Sequence, residues 1–280
     1  MSTTTAHTNN AGADANNAGA AALSAGAIAA HCAGSASHVA IEVVAETGST
    51  NADLLARVAT LPGPLLRIAE RQTAGRGRAG RPWLSAPGAS LTFSLAWRFK
   101  GPMRNLVGLP LAVGVALAET IVGLGVPVRL KWPNDLLRDG DKLAGILVEM
   151  QSAPDGAVWA VVGAGINLLM PDQLEQDIGR SVAAAPWLAQ MERNLLVATL
   201  LSRLAAVLAE FDDTGFVPFC ERWNTLHAWH GREVSIVDGG RVLQQGRAAG
   251  VDTIGRLLLD TAAGRVEILS GDVSLRLADA

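Results

Sequence analysis

Cysteine is scarce in this chain, and positive charge is missing from its start. Cys32 and Cys220 are the only two thiols, too few for the disulfide framework of a small secreted domain, so a reducing compartment and a cytoplasmic location are expected. No lysine or arginine precedes Arg57, which excludes the positively charged leader of an ordinary secretory signal. No internal repeat is evident, which sets aside solenoid architectures. The most informative gap lies further in. Between Glu70 and Glu119 there is no acidic residue, while Arg71, Arg76, Arg78, Arg81, Arg98, Lys100 and Arg104 all fall there. The whole chain carries 23 basic and 26 acidic residues, a formal net charge of -3, so this field of one sign is local and calls for an anionic ligand rather than for nucleic acid at large.

What is present centres on Gly75-Arg76-Gly77-Arg78-Ala79-Gly80-Arg81-Pro82-Trp83. Arginine offers a planar fork of donors that suits carboxylate and phosphate, and the interleaved glycines let backbone N–H groups approach the same ligand. The stretch matches G-x-G-x-x-G, but that dinucleotide motif must open a helix and meet an acid about 20 residues later. Pro82, Pro87 and Gly88 forbid the helix, and no acid stands there.

The whole 280-residue chain, 49% hydrophobic and 18% charged, has the make-up of a globular enzyme of one or two domains. Residues 1–38 hold one charged residue, Asp14, and almost no large aliphatics. That composition predicts a disordered low-complexity segment, with at most a short helix near residues 22–32. Val39 to Val44, Leu65 to Gln72 and the alternating Leu91 to Phe99 read as strands, the last half-buried. Leu106 to Val126 is long enough to span a bilayer, but Pro110, four glycines and Glu119 interrupt it. The spacing of Leu109, Val113, Leu117 and Ile121 predicts a core helix, and no membrane association is expected. Val128 to Trp132 and Val158 to Asn167 add strands, Glu192 to Phe211 and Phe216 to Leu226 add helices, and residues 231–280 break into short strands with glycine turns, a small all-β domain.

Two further stretches carry chemistry. Gly48-Ser49-Thr50-Asn51 precedes a helix that Ser49 or Thr50 would cap. Lys131-Trp132-Pro133-Asn134-Asp135 closes a strand with a turn. With Asp139-Gly140 at the centre of a tight hairpin, Leu137 pairs with Lys142 and Asp135 with Ala144, which puts Asp135 and Lys142 diagonally on one face, about 7 to 8 Å apart at Cβ. Such a couple is either a surface ion pair worth roughly 0 to 1 kcal/mol or a bracket around a phosphate, with the aspartate holding Mg²⁺ or accepting a proton.

Taken in order, Gly48 to Asn51, Gln72 to Trp83, Lys131 to Asp135 with Lys142-Leu143-Ala144-Gly145-Ile146-Leu147-Val148-Glu149, and Gly163 to Asn167 resemble the biotin protein ligases. The similarity runs from about residue 40 to the closing Ser270 to Arg276. The resemblance implies an α+β fold: a central mixed sheet flanked by helices over residues 39–230, related to the class II synthetase core, then an SH3-like barrel over 231–280. It implies an ATP- and Mg²⁺-dependent enzyme that converts biotin to biotinyl-5′-AMP and passes it to a lysine of a biotin carboxyl carrier protein of acetyl-CoA carboxylase or a related enzyme. The neighbouring alternatives are a lipoate ligase and a biotin-responsive regulator.

Carried onto this sequence, Ser49, Thr50, Asn51 and Gln72 are expected to hold the biotin rings, with Arg76, Gly77, Arg78 and Lys142 at its carboxylate. Arg78, Trp83, Lys131, Asn134, Asp135 and Asn167 fall on the adenylate side. Lys142, Arg78 and Asp135 are the expected catalytic groups, with Asp135 as the base in the transfer step, and no resident metal is expected. Residues 1–38 lack the apolar pattern and basic helix of a DNA-reading helix-turn-helix, so no operator binding is expected. Edge pairing of a sheet leaves monomer or homodimer open. His227 and Asp272 stand where the family commonly has an acid and a glutamate, and both departures bear on interdomain packing.

Overall fold

The computed structural model describes residues 22–153, 156–271 and 273–278; Asp272 and residues 1–21 lie outside them. The chain begins with α1 (Ala25–His31), β1 (Ala40–Thr47), α2 (Thr50–Leu55), β2 (Leu65–Gln72), β3 (Ser90–Phe99) and α3 (Leu109–Gly123). It continues through β4 (Arg129–Lys131), β5 (Asp135–Arg138), β6 (Asp141–Ser152), β7 (Val158–Asn167), α4 (Asp172–Ile178), α5 (Pro186–Ala189), α6 (Arg193–Thr214) and α7 (Val217–Leu226). The C-terminal part is β8 (Glu233–Asp238), β9 (Arg241–Val251), β10 (Leu257–Thr261), β11 (Gly264–Ile268) and β12 (Ser274–Leu277).

Seven strands form one sheet in the order β1-β2-β3-β7-β6-β5-β4. β1 and β2 run parallel and every other pairing is antiparallel, giving the mixed sheet expected from the sequence. The second sheet is antiparallel in the order β11-β10-β9-β8-β12. It is consistent with an SH3-like domain, although no β11–β12 pairing closes it into a barrel among the described residues.

Met103–Gly123, which includes α3, and α6 are each long and apolar enough to cross a membrane. Instead they are buried, α3 against α6, α7 and the sheet, with Leu109, Val113, Leu117 and Ile121 all at 0% exposure. A helix that is apolar all round requires such enclosure.

Three expectations need correction. Residues 22–38 are packed rather than disordered: Ser24 caps α1, Leu23, Ile28 and Ala36 join the main core, and Asn194 Oδ1 accepts from the Ser24 amide at 2.8 Å. A small-residue helix can lie close on α6 and needs only these few aliphatics as anchors. β3 is buried along both faces from Ser90 to Ala96, because α2 covers the side that carries its hydroxyls. The β5–β6 hairpin has Asp139 and Gly140 at positive φ as expected, but a bulge between Leu136 and Leu137 shifts the register, so Asp135 faces Gly145 and not Ala144.

The two sheets meet around α7. Asn224 donates to the Val251 carbonyl and accepts from its amide at 2.7 Å, and the indole N–H of Trp132 donates to Gly255 O at 3.3 Å. His227, at the end of α7, is 6% exposed, and neither ring nitrogen has a hydrogen-bond partner among the described residues. Burial, reinforced by His230, pushes its imidazole down from 6.5 to about 4. The unfolded chain therefore binds the extra proton first, and the native state weakens as pH falls from above 6.5 towards 4. Urea unfolding at pH 7.5 and 5.0 is expected to show about 2 kcal/mol of acid-induced loss in the wild type that His227→Leu lacks.

Candidate active site

The candidate site is built from the end of β2, the start of α2, and the β6–β7 surface. Ser49 caps α2, and burial of Thr50 and Asn51 turns both side chains inward. Gln72 Oε1, at the end of β2, accepts from the Thr50 amide at 2.8 Å. The arginine–glycine segment does not continue into a helix. It folds back on itself, with the Gly77 amide on Arg81 O at 2.7 Å and the Trp83 amide on Gly75 O at 2.9 Å. The reversal is made by Ala79 and Gly80, both at positive φ.

That reversal lays Trp83 on the sheet. Gly145 and Gly165 are opposite each other in the register, and an added Cβ at Gly165 falls 2.3 Å from Trp83 Cε2. The glycines at the end of β7 thus admit the protein's own indole, and Gly163 admits Asn51 Oδ1, which would lie 2.3 Å from an added Cβ. Trp83 Nε1 is buried and has no acceptor among the described residues.

The resulting cavity is lined by Ser49, Thr50, Asn51, Gln72, Arg76, Gly77, Arg78, Trp83, Asn134, Asp135 and Lys142, so eleven of the thirteen sequence-predicted residues meet in one place. Lys131 lines the adjoining hollow, between the hairpin and β12. Asn167 lines neither hollow. Its amide is turned to the backbone, donating to Ala183 O at 3.1 Å and Lys142 O at 3.3 Å, where it holds the segment after α4 against the hairpin.

Sequence reasoning missed four contributors. Ser94 and Ile146 line the main cavity, Arg276 lines the adjoining hollow, and Arg180 lines both. The hydroxyl positions of β3 signalled Ser94 once α2 was known to cover them; Arg180 and Arg276 reach the site only through tertiary packing.

Charge in the site is organised around Asp135. Its Oδ1 lies 2.5 Å from Lys142 Nζ and its Oδ2 3.6 Å from Lys131 Nζ. Burial alone would raise its carboxyl, but the two lysines outweigh that and hold it below the usual range. Burial lowers Lys131 despite Asp135, with Lys142 and Arg276 adding to the effect, and the Trp229 ring supports its ammonium at 5.0 Å. Arg78 donates to Asn134 Oδ1 at 3.2 Å and to the carbonyl of Gly271, so the loop is tied to the hairpin and to the C-terminal domain. A carboxylate engaged by two cations is a weak proton acceptor, which speaks against Asp135 as the base of a transfer step.

An arginine loop, a lysine–aspartate–lysine triplet and a polar cavity at a glycine-bared sheet surface define a ligase that joins two anionic reactants, and the comparisons bear on which one. Residues 41–167 match the biotin/lipoate A/B protein ligase family, and residues 230–276 match the biotin protein ligase C-terminal domain. The chain is 37% identical to the bifunctional ligase/repressor BirA of Escherichia coli over 86% of this chain and 75% of that protein. It is 36% identical to the biotin--[acetyl-CoA-carboxylase] ligase of Mycobacterium tuberculosis over 83% and 88%. The solved biotin protein ligase from Aquifex aeolicus in complex with biotin and ATP superposes with a TM-score of 0.71 at 29% identity, covering 85% of this chain and 99% of that one. The chain therefore belongs to the biotin/lipoate A/B protein ligase family, on its biotin protein ligase branch.

Gly165→Ala tests the packing of the site. The methyl group cannot coexist with Trp83 in place, so a red-shifted tryptophan emission and at least a tenfold drop in ligase turnover are expected, at a stability loss of roughly 1 to 3 kcal/mol. Unchanged emission would show that the indole does not rest there.

Proposed function

We propose that this protein activates biotin with ATP as biotinyl-5′-AMP and transfers the biotinyl group to one lysine of a biotin carboxyl carrier protein. The observation that carries the reading is the meeting of the arginine loop, Lys142, the buried Thr50 and Asn51 and the half-buried Gln72 in a single cavity. A lipoate ligase is less well supported, since lipoate has no urea for those polar groups to meet.

In the first step a biotin carboxylate oxygen attacks the α-phosphorus of ATP, the bond to the bridging oxygen breaks, and pyrophosphate leaves with the electron pair. Two anions must be held together for this, and the rate gained by fixing them in place is large. Lys142 and Arg78 are assigned to the reacting oxygens, with Arg76 at the biotin carboxylate and Gly77 offering close backbone approach. Trp83, Lys131 and Asn134 are assigned to the nucleotide side. Asp135 positions Lys142 between the two reactants. In the second step the acceptor amine attacks the acyl carbon, the bond from that carbon to the phosphate oxygen breaks, AMP leaves with the electron pair, and the proton of the amine passes to solvent. The loop closing over the cavity keeps water from the mixed anhydride.

Among the described residues no group of three His, Cys, Asp or Glu gathers, and both Asp135 oxygens face lysines. Mg²⁺ therefore fits as a passenger of the nucleotide, held by phosphate oxygens and water. When bound it neutralises phosphate charge.

The direct test is mass measurement of the adenylate formed from ATP and either biotin or lipoate, followed by transfer to a purified carrier domain. Biotinyl-AMP and a single modified lysine are expected; lipoyl-AMP alone would overturn the assignment. Lys142→Ala is expected to slow adenylate formation by about 10²-fold or more, the size of one lost transition-state charge contact. Arg78→Gly is expected to release biotinyl-AMP and to label lysines indiscriminately on bystander proteins, whereas retention of the adenylate on a desalting column would contradict loop closure.

A further inference from the structure

At the head of the cavity five side chains from four elements form a single row of hydrogen bonds: Gln72 of β2, Thr50 and Asn51 of α2, Ser94 of β3 and Glu149 of β6. Glu149 is set apart from the others. It lies in the shallow groove beneath the arginine loop and does not line the main cavity. Its Oε2 accepts from Asn51 Nδ2 at 2.9 Å, and the Leu147 carbonyl stands 3.4 Å from the same nitrogen. A carboxylate and a carbonyl are acceptors only, so they dictate which end of the Asn51 amide is the nitrogen.

The consequence passes along the row one proton at a time. Asn51 Oδ1 is turned to Ser94, and since an amide oxygen has no proton the serine hydroxyl must donate. Ser94 has no second proton, so in its 2.7 Å contact with Thr50 Oγ1 the threonine must be the donor. Gln72 Oε1, an acceptor only, stands 3.1 Å from Thr50 Oγ1 as well, so the single Thr50 proton is shared between Ser94 and Gln72 and both call on Thr50 as the donor. Gln72 Oε1 is held by the Thr50 amide at 2.8 Å, which turns the Gln72 NH₂ the other way, towards Gly75, where it would lie 3.2 Å from an added Cβ. The reverse direction would bring two lone pairs together between Ser94 and Asn51, and a buried clash of acceptors is costly.

We infer that Glu149 is a positioning residue that sets the donor–acceptor polarity of the biotin head site. By fixing Asn51, it obliges Thr50 Oγ1 to act as donor within the row and to keep its lone pairs for a ring ligand, beside the Gln72 NH₂ that the Thr50 amide orients. That complement suits a cyclic urea, which offers N–H donors beside a carbonyl acceptor. It distinguishes a urea from a cyclic ketone of the same outline, which has no N–H to give. The inference rests on the proposed biotin-activating function and deepens it to a specificity determinant.

The test compares Glu149→Gln, which keeps an acceptor oxygen for Asn51, with Glu149→Lys, which replaces the acceptor by a donor. Initial rates of adenylate formation are measured with biotin and with a carbocyclic analogue in which ring methylenes replace both urea nitrogens. The wild type is expected to favour biotin by at least tenfold in kcat/KM. Glu149→Gln should stay within about threefold of the wild type for both acids. Glu149→Lys should raise the KM for biotin at least tenfold, leave the KM for ATP within about twofold, and shrink the preference over the analogue to about threefold or less. The inference is overturned if Glu149→Lys keeps the full preference, if Glu149→Gln loses as much as the lysine variant, or if the KM for ATP rises in step with that for biotin. A wild-type enzyme that forms no biotinyl-AMP at all would instead sink the functional reading beneath it.

Discussion

A carboxylate gripped by two lysines is the interaction on which the site depends. Asp135 is largely enclosed between Lys142 and Lys131, and among the described residues neither lysine is paired with another acid that would keep its charge in these low-dielectric surroundings. An uncompensated buried ammonium would lose its proton or draw in water. The aspartate thus stores positive charge in place until anionic reactants arrive to share it. Arg78 then adds a guanidinium from the loop side, and Arg180 and Arg276 add charge from the segment after α4 and from the C-terminal sheet.

The fold serves this arrangement by stripping side chains from one patch of sheet. Gly145, Gly163 and Gly165 leave room for Trp83 and Asn51, so the arginine loop can lie flat over β6 and β7 instead of standing away from them. The Gly271 carbonyl accepts from Arg78, and Trp132 and Asn224 pin the second sheet to the first. The C-terminal domain consequently walls the hollow that adjoins the cavity and is not an appendage.

Much of this was legible in the residues themselves. The arginine–glycine spacing announced an anion site, the period-two stretch Leu91 to Phe99 announced β3, and Asp139-Gly140 announced the hairpin. The bulge that moves Asp135 opposite Gly145 was not legible, because register in a short hairpin depends on how Leu136 and Leu143 share the core beneath it. The order in residues 22–38 was hidden for a related reason: an alanine-rich stretch shows too little apolar surface of its own, and only the face of α6 makes Leu23 and Ile28 sufficient. Asn167 looked like a nucleotide contact because it ends a glycine-stripped strand, whereas its amide is consumed by Lys142 O and Ala183 O. Arg180 sits in a stretch without a motif, and Arg276, though it ends the closing stretch of the resemblance, reaches the site only because β12 packs beside the hairpin.

The central claim is that the cation cluster lets two mutually repelling anions occupy adjoining places. Calorimetric titration of biotin, with and without a saturating ATP analogue whose α,β-bridging oxygen is a methylene, measures that repulsion directly. In the wild type the nucleotide is expected to leave biotin affinity unchanged or improved, while in a Lys131→Ala, Lys142→Ala double variant it should weaken biotin binding by at least tenfold beyond any loss seen without nucleotide. An identical loss in the presence and absence of the nucleotide would contradict the account.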